Sequence, residues 1–334
     1  MTKFSSLLSN KNIGSSVGLV GLAITQSMVL VRLVQYTLKN WGDLEARMVS
    51  VERIMEYTEI DVENNDGTVK GPQEWPTTGK LSFISVSLRY SPDTPFVLKN
   101  ISFEIKHGEK IGIVGRTGAG KTSLTSILFR LFRYEGHVFI HGIDTKTIPL
   151  NVLRSKITII PQDPILFLGT VRKNIDPFDS YTDDEIWSCL EELELKEMVS
   201  KLPNGLESQI SERGSNFSFG QKQLLCLVRA MLRNNKLIVL DEATANVDLK
   251  TDELIQPVIR RKFGNCTVLT IAHRLNTVID SDRILVLDDG LIAEFDHPFF
   301  LLQNTKGFFY GHIKQYGSAV VSEFKASAED VSCM

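Results

Sequence analysis

Apolar residues follow two different patterns in the N-terminal part of the chain. From Val17 to Leu38 most residues are apolar, with no acidic residue and a single arginine. This length approaches the ~20 residues that a helix needs to cross a bilayer. From Asp43 to Tyr57 the apolar residues recur instead at helical spacing, with charges between them, which predicts an amphipathic helical extension.

Three structures fit the first apolar segment: a membrane helix, a secretory signal peptide or a buried core helix. Gly14 and Gly18 have the GxxxG spacing that favours close packing on another membrane helix. Gln26, Arg32 and Gln35 would be costly against lipid, so we expect them to face other helices or a solvated path. A signal peptide would export the rest of the chain, whose motifs, described below, are typical of the cytosol. We therefore favour the membrane helix.

The rest of the chain predicts a linker and an α/β domain. Residues 58–79 lose periodicity among Asn, Gly, Pro and acidic residues, which is typical of a linker. From Lys80 onward, β-rich runs alternate with helical ones, which predicts a parallel α/β core preceded by antiparallel strands. The tail, 317–334, consists mainly of small and polar residues, which is typical of loosely ordered segments. The first predicted part, 1–57, is the end of a transmembrane domain, with the membrane helix at 17–38 and its cytosolic extension at 43–57. The linker 58–79, a domain at 80–316 whose motifs are described below, and the tail follow it.

Composition narrows the class of protein. The chain has 334 residues, a net charge of −3 and 43% hydrophobic residues, enough for one large or two ordinary domains. The near-neutral charge gives no support for a nucleic-acid partner, which normally requires a basic surplus. The cysteines form no CxxC pair, so we expect reduced thiols in the cytosol rather than disulfides or a zinc site. They are Cys189, Cys226, Cys266 and Cys333.

The segment "GIVGRTGAGKTSL" matches the phosphate-loop pattern G-x-x-x-x-G-K-[ST] between an apolar strand and a helical run. Its glycines let backbone N–H groups converge on phosphate oxygens at a helix N-terminus. Lys121 would supply a point charge, and the Thr122 hydroxyl would bind Mg²⁺. Glycine-rich turns also occur for packing reasons, but the complete motif favours a phosphate site. The candidate residues are Gly115, Arg116, Thr117, Gly118, Ala119, Gly120, Lys121, Thr122 and Ser123.

The segment "KLIVLDEATANVD" ends an apolar strand in two neighbouring acids, Asp241 and Glu242. Paired negative charges at the end of a buried strand are unfavourable unless a positive charge faces them. We expect this strand to lie beside the phosphate loop, facing a magnesium nucleotide. Asp241 would then bind Mg²⁺, and Glu242 would orient and deprotonate the water that attacks the γ-phosphate. The alternative is an acidic turn without a ligand.

Together with these two segments, "SERGSNFSFGQKQLLCLVRAML" resembles the ABC transporter ATPases. The similarity runs from about Ser5 to Gly317. It is greatest to the second nucleotide-binding domain of the C subfamily, the multidrug resistance-associated proteins, and within it to the branch of multidrug resistance-associated protein 4. It is carried by "RMVSVERIMEYTE", "IIPQDPILFLGTVRKNIDPF" and "DEATANVDLKTDELIQ". The resemblance implies a P-loop ABC ATPase cassette, with a mixed-sheet core, an antiparallel β subdomain and a helical subdomain, preceded by one membrane helix.

The resemblance also implies roles for single residues that the pattern alone would leave structural. Tyr90 matches the aromatic residue that stacks on adenine. Gln162 matches the glutamine that contacts Mg²⁺ and connects the ATP site to the membrane helices. His273 matches the switch histidine at the γ-phosphate, and Asp248 matches the loop that crosses the dimer interface.

The signature segment departs from the family pattern. Where the family usually has Leu-Ser-Gly-Gly-Gln, the chain has Phe217, Ser218, Phe219, Gly220 and Gln221. This segment would offer the serine hydroxyl and backbone N–H groups to ATP held by an opposite cassette. Phe219 adds bulk where glycine permits close approach. We therefore expect asymmetry, in which this chain's own phosphate loop hydrolyses ATP while its signature serves a slower or merely binding site.

These features predict an ATP-binding and ATP-hydrolysing part of an ABC-type exporter, with ATP and Mg²⁺ as cofactors. Its partners would be a second cassette, further membrane helices, the lipid bilayer and an organic anion, conjugate or drug as cargo. The ATPase domain would lie in the cytosol at a membrane, which family resemblance suggests is the plasma membrane. Two alternatives stay open: a soluble P-loop ATPase, and a truncated ATP-binding partner that hydrolyses little by itself.

Overall fold

The computed structural model describes residues 11–60, 63, 75–242, 247–272, 278 and 280–314. The chain divides into two compact units, one up to residue 64 and the other from residue 65. Most of the predicted linker, His273 and the tail from residue 317 lie outside the described residues.

The first unit is one long helix, α1 (Lys11–Thr58). It contains no proline, which would remove a helical hydrogen bond, and it joins the predicted membrane segment to the amphipathic segment without a break. From Gly18 onward its side chains are exposed. The part from Gly18 to Thr58 is long and apolar enough to cross a membrane, by length and composition.

The second unit combines short helices with strands. Its helices are α2 (Lys121–Leu128), α3 (Leu150–Lys156), α4 (Val171–Ile175), α5 (Asp183–Glu192), α6 (Lys196–Ser200), α7 (Phe219–Arg233), α8 (Leu249–Lys262), α9 (Pro298–Gln303) and α10 (Phe308–Lys314). Its strands are β1 (Leu81–Leu88), β2 (Leu98–Ile105), β3 (Lys110–Gly115), β4 (Tyr134–Ile140), β5 (Ile143–Asp144), β6 (Ile157–Ile160), β7 (Gly169–Thr170), β8 (Gln209–Ile210), β9 (Leu237–Asp241), β10 (Thr267–Ile271), β11 (Arg283–Asp288) and β12 (Leu291–Asp296).

Two larger sheets organise the described part of this unit. A four-stranded sheet has the order β2-β1-β4-β5, and its pairs are antiparallel. A six-stranded mixed sheet has the order β12-β11-β3-β10-β9-β6, with only β12 antiparallel to its neighbour. A hydrophobic cluster shared by both sheets and α2 includes Phe83, Ile113 and Leu124. This arrangement confirms the predicted α/β fold class with its antiparallel β part.

The central strands read as continuous apolar runs because both faces of the mixed sheet are covered. In β9, Leu237 and Val239 belong to the cluster shared with the antiparallel sheet. Ile238 and Leu240 belong to a second cluster, which includes the helices α5 and α7. Successive strand side chains point to opposite faces, so one short strand joins the β part and the helical part of the unit.

Among the strands longer than two residues, β4 and β12 were not predicted from the sequence. In β4 the segment "YEGHVFI" places Glu135, Gly136 and His137 where an alternating apolar pattern would be needed. Pairing with β1 supplies what local propensity lacks. The helical run that follows the phosphate loop in the sequence predicts a helix from Lys121 to Leu131, but α2 ends earlier, at Leu128.

Candidate functional site

The predicted site residues follow parallel strands of the six-stranded sheet. β3 leads into the phosphate loop, β9 ends at Asp241, and Gln162 follows β6. Because the carboxyl ends of parallel strands meet at one edge of a sheet, these three features share that edge. We expected the acid-bearing strand beside the phosphate loop. In the sheet, β10 lies between β3 and β9, since strand order does not follow chain order. His273, after β10, lies outside the described residues.

The phosphate loop, Gly115 to Thr122, connects β3 to α2. Gly118 and Gly120 have left-handed backbone conformations, with φ of 84° and 103°, which glycine adopts without steric cost. A Cβ atom on Gly120 would also lie 2.6 Å from Cδ2 of buried Leu98. The loop therefore requires glycine at position 120 for two independent reasons.

Lys121 links the phosphate loop to the acid pair. Its side chain is 6% exposed, and its Nζ donates to the carbonyl oxygens of Gly115 at 2.7 Å and Arg116 at 3.1 Å. Burial lowers the pKa of Lys121, while the negative charges of Glu242 and Asp241 act to raise it. Charge interactions weaken with distance, so both carboxylates lie near enough to the ammonium to interact with it.

The acid pair sits at the point where β9 ends. Asp241 lies opposite Ile271 of β10 in the parallel register, and the Glu242 N–H donates to the carbonyl oxygen of Ile271 at 3.0 Å. Glu242 has a positive φ of 49°, which is uncommon outside glycine. The hydrogen bond from the neighbouring strand thus holds Glu242 in a conformation that costs about 1–3 kcal/mol and is frequent at functional sites.

Tyr90 lies beside the first turn of α2. Its hydroxyl shares a 2.7 Å hydrogen bond with Oγ of buried Ser123. Its ring packs edge-to-face on Phe132, with the centroids 4.7 Å apart, and stays 47% exposed. The structure therefore fixes a half-exposed aromatic ring next to the phosphate loop, where stacking on a base remains a prediction.

The signature segment forms the start of α7. Ser218 is the N-cap residue, and its Oγ accepts from the Gln221 N–H while Oε1 of Gln221 accepts from the Ser218 N–H. This reciprocal capping box satisfies two backbone donors of the first helical turn. Phe219 follows the cap and is partly buried against the helical cluster. The cassette's own core therefore takes up part of the bulk that departs from the family pattern.

Gly220 permits a close approach between α7 and α8. A Cβ atom there would lie 3.1 Å from Oγ1 of Thr251 and 3.3 Å from Oδ1 of Asp248. Asp248 is the N-cap residue of α8, and its carboxylate accepts from the Thr251 N–H and hydroxyl. The signature glycine thus contacts the predicted interface loop within the same chain, a role that the sequence alone did not indicate.

Comparison with known proteins identifies the family. Residues 98–245 match the ABC transporter family. Over 329 residues the chain is 49% identical to human ATP-binding cassette sub-family C member 4, covering 98% of this chain and 25% of the human protein. Residues 98–245 form an ABC transporter domain. The C-subfamily resemblance expected from the sequence motifs is thereby confirmed.

Two further similarities support the assignment of an ABC cassette. Human ATP-binding cassette sub-family C member 3 is 49% identical over 306 residues, which are 90% of this chain and 20% of that protein. A solved structure of a bacterial Atm1-family ABC exporter with ATP bound superposes with a TM-score of 0.73 at 30% identity, covering 81% of this chain and 47% of that one. The chain thus spans about a quarter or less of the length of these curated relatives.

The predicted Mg²⁺ ligands of the ABC cassette are Thr122, Gln162 and Asp241. The side chains of Thr122 and Gln162 are exposed, and that of Asp241 is half-buried. Hydroxyl, amide and carboxylate oxygens are the hard donors that Mg²⁺ prefers. Among the described residues, no three His, Cys, Asp or Glu side chains gather into a metal cage. A magnesium site made of one carboxylate and substrate phosphates needs no such cage, so the donor set fits this metal.

Sequence reasoning missed three residues near the ABC cassette's site. From α7, Gln223 donates to the carbonyl oxygen of Pro161, just before Gln162, and Arg229 donates to that of Ile165, three residues after it. His312 lies on α10, near enough to the phosphate loop that the charge of Arg116 contributes, after burial, to lowering its pKa. The first two looked like ordinary polar residues of an amphipathic helix, and His312 lies far from the motifs in the sequence.

Proposed function

We propose that the cassette binds ATP with Mg²⁺ at its phosphate loop and hydrolyses it as the ATPase part of an ABC-type exporter. One arrangement supports this most strongly. The Lys121 ammonium donates to the carbonyl oxygen of Gly115, and the negative charges of Glu242 and Asp241 act to raise its pKa. Phosphoryl transfer depends mainly on positioning and on charge stabilisation, and this site supplies both.

The described residues have roles that follow from their positions, and the role of His273 follows from the family resemblance. Backbone N–H groups of the phosphate loop and the Lys121 ammonium would hold the β- and γ-phosphates. Glu242 would accept the proton of the attacking water, and His273 would contact the γ-phosphate. Mg²⁺, held by Thr122, Gln162 and Asp241, would neutralise charge on the phosphate oxygens.

Further contacts would select and orient the nucleotide. Tyr90 would stack on adenine, because its half-exposed ring is fixed beside the phosphate loop. The neighbouring loop residues Arg116, Thr117, Ala119 and Ser123 complete the proposed nucleotide-binding set.

A second cassette would complete the site in trans. Ser218, Phe219, Gly220 and Gln221 would face ATP held by that partner, and Asp248 would lie at the interface. We infer asymmetry between the two sites, since Phe219 replaces the usual glycine while the chain's own site retains Glu242. This chain's phosphate loop would be the faster site.

The membrane function is inferred from the relatives. The helix α1 would cross the bilayer together with further membrane helices, with the cassette in the cytosol, and the plasma membrane is the proposed location. Organic anions, conjugates or drugs are the proposed cargo class, because the relatives are C-subfamily members.

Hydrolysis by the full chain in lipid nanodiscs, with and without a partner cassette, tests this proposal. We expect Glu242→Gln to retain ATP binding and to lose most turnover, whereas Glu104→Gln, at an exposed ion pair with Lys80, keeps it. Turnover that Glu242→Gln leaves unchanged would overturn the catalytic assignment. ATP binding without turnover in either setting would favour a binding-only partner, and no ATP binding at all would reject both functions.

A further inference from the structure

Two side chains of α7 donate to backbone carbonyls at the two ends of the segment that contains Gln162. Nε2 of Gln223 donates to the carbonyl oxygen of Pro161 at 3.0 Å. A guanidinium nitrogen of Arg229 donates to the carbonyl oxygen of Ile165 at 2.9 Å. The helix that starts at the signature therefore holds the Gln162 segment on both sides.

Asn174 extends this attachment on the α4 side. Arg229 donates to the backbone oxygen of Asn174 and, at 3.1 Å, to its side-chain oxygen. Asn174 is 2% exposed; its Oδ1 accepts from the Phe167 N–H at 2.7 Å, and its Nδ2 donates to the Phe167 carbonyl at 2.8 Å. Buried hydrogen bonds of this kind fix a loop because breaking one leaves a polar group without a partner.

Gln223 has a further property that a packing role does not explain. Its side chain is 1% exposed, and among the described residues no donor reaches its Oε1. A buried carbonyl without a partner costs stability, and methionine would fill a similar volume without that cost. What Gln223 contributes is thus its Nε2 donor to Pro161.

We propose that Gln223 and Arg229 are positioning residues that tie the Gln162 segment to the signature helix. This inference rests on the proposed function, in which Gln162 contacts the metal of this chain's own ATP site and Ser218 faces ATP held in trans. A displacement of the Gln162 segment is then passed to Ser218 through α7, because an α-helix moves as a stiff element. The occupancy of one ATP site thereby affects the other through contacts within one chain.

Amide hydrogen exchange of the full chain in nanodiscs tests the attachment without requiring hydrolysis. Without nucleotide, we expect Gln223→Met to raise exchange in residues 162–168 by about two- to tenfold, the value of one net hydrogen bond. With Mg²⁺ and adenylyl imidodiphosphate, the phosphate loop should still become protected, whereas the response of residues 215–222 should be lost. The matched control is Gln256→Met, on α8, which removes a hydrogen bond to Asp252 and should change neither segment. Exchange of 162–168 equal to that of the unmodified chain would overturn the proposal.

A double-mutant cycle on turnover separates positioning from general stability. We expect Gln223→Met to leave the thermal midpoint unchanged or raised, yet to lower kcat by about two- to tenfold. In a Gln162→Ala background it should lower kcat little further, because both variants act on the same segment. Fully multiplicative effects would contradict the coupling. Arg229→Lys keeps the charge and loses the forked donor, so it provides a second variant with the same expected loss of kcat and the same lack of a further loss in the Gln162→Ala background. Should the unmodified chain not hydrolyse ATP, the proposed function fails while the exchange experiment still decides this inference.

Discussion

The ammonium of Lys121 lies 2.7 Å from the carbonyl oxygen of Gly115, six residues earlier in the same phosphate loop. The side chain expected to hold a nucleotide thus closes the loop on itself. Lys121 is also buried, and burial lowers its pKa more than the charges of Glu242 and Asp241 raise it, so its charge is costly to the cassette.

Replacing Lys121 by methionine should separate ligand binding from stability. We expect ATP affinity to fall about tenfold to a hundredfold, the value of a hydrogen bond to a charged group. The thermal midpoint without nucleotide should stay unchanged or rise, because a desolvated charge is removed. Calorimetric titration and thermal unfolding measure the two effects. A fall of several degrees in the midpoint would show that Lys121 mainly supports the fold.

Two glycines of the phosphate loop form a matched pair. Gly118→Ala should destabilise the cassette by about 1–2 kcal/mol, since its φ is left-handed and its surroundings are open. Gly120→Ala should cost about 2–4 kcal/mol, because the contact with Leu98 adds overpacking to the strain. Urea unfolding of both variants checks the order. Equal losses would contradict the proposed steric role of Leu98.

Tyr90 can be tested by separating its ring from its hydroxyl. Tyr90→Ala should weaken ATP binding about tenfold, within the range of one base–aromatic stacking contact. Tyr90→Phe should retain most of the affinity, because only the hydrogen bond to Ser123 is lost. Inorganic triphosphate should bind all three forms equally, and unequal binding would place the effect in the phosphate loop instead.

The contact of Gly220 with α8 gives a prediction with a built-in rescue. The added methyl group of Gly220→Ala should displace Thr251 and weaken the Asp248 cap. The expected loss in the free energy of unfolding is about 1 kcal/mol, as for other N-caps. Adding Thr251→Ser removes the methyl group 3.2 Å away and should restore part of the loss. Hydrogen exchange of residues 249–255 measures fraying of α8. Loss without any rescue would place the strain elsewhere.

His312 predicts a pH dependence near the phosphate loop. Burial is the largest cause that lowers the pKa of His312 from 6.5. The positive charges of Arg116 and Lys121 also lower this pKa, and the negative charges of Asp288 and Glu294 act to raise it. Between the lowered folded pKa and 6.5 the unfolded chain binds more protons, so stability should fall as the pH drops below about 6.5. His312→Gln should flatten this slope between pH 7 and 5. An identical slope in thermal unfolding would contradict the prediction.

The sequence by itself indicated that the cassette acts on ATP, because the residues of each motif are neighbours along the chain. The loop from Gly115 to Thr122 and the acids Asp241 and Glu242 each lie within a few residues of a continuous apolar strand. Such strands are recognisable because both faces of the mixed sheet are covered. Length and apolarity likewise indicated the helix within Lys11–Thr58.

Tertiary structure alone decided how these parts meet. The order of the sheet places β10 between the phosphate-loop strand and the acid-bearing strand. Neither the bond between Tyr90 and Ser123 nor that between Gln223 and Pro161 has any local signal. Contacts of this kind join residues distant in the chain, so they depend on how the elements pack, whereas propensity and periodicity report only on neighbours along the sequence.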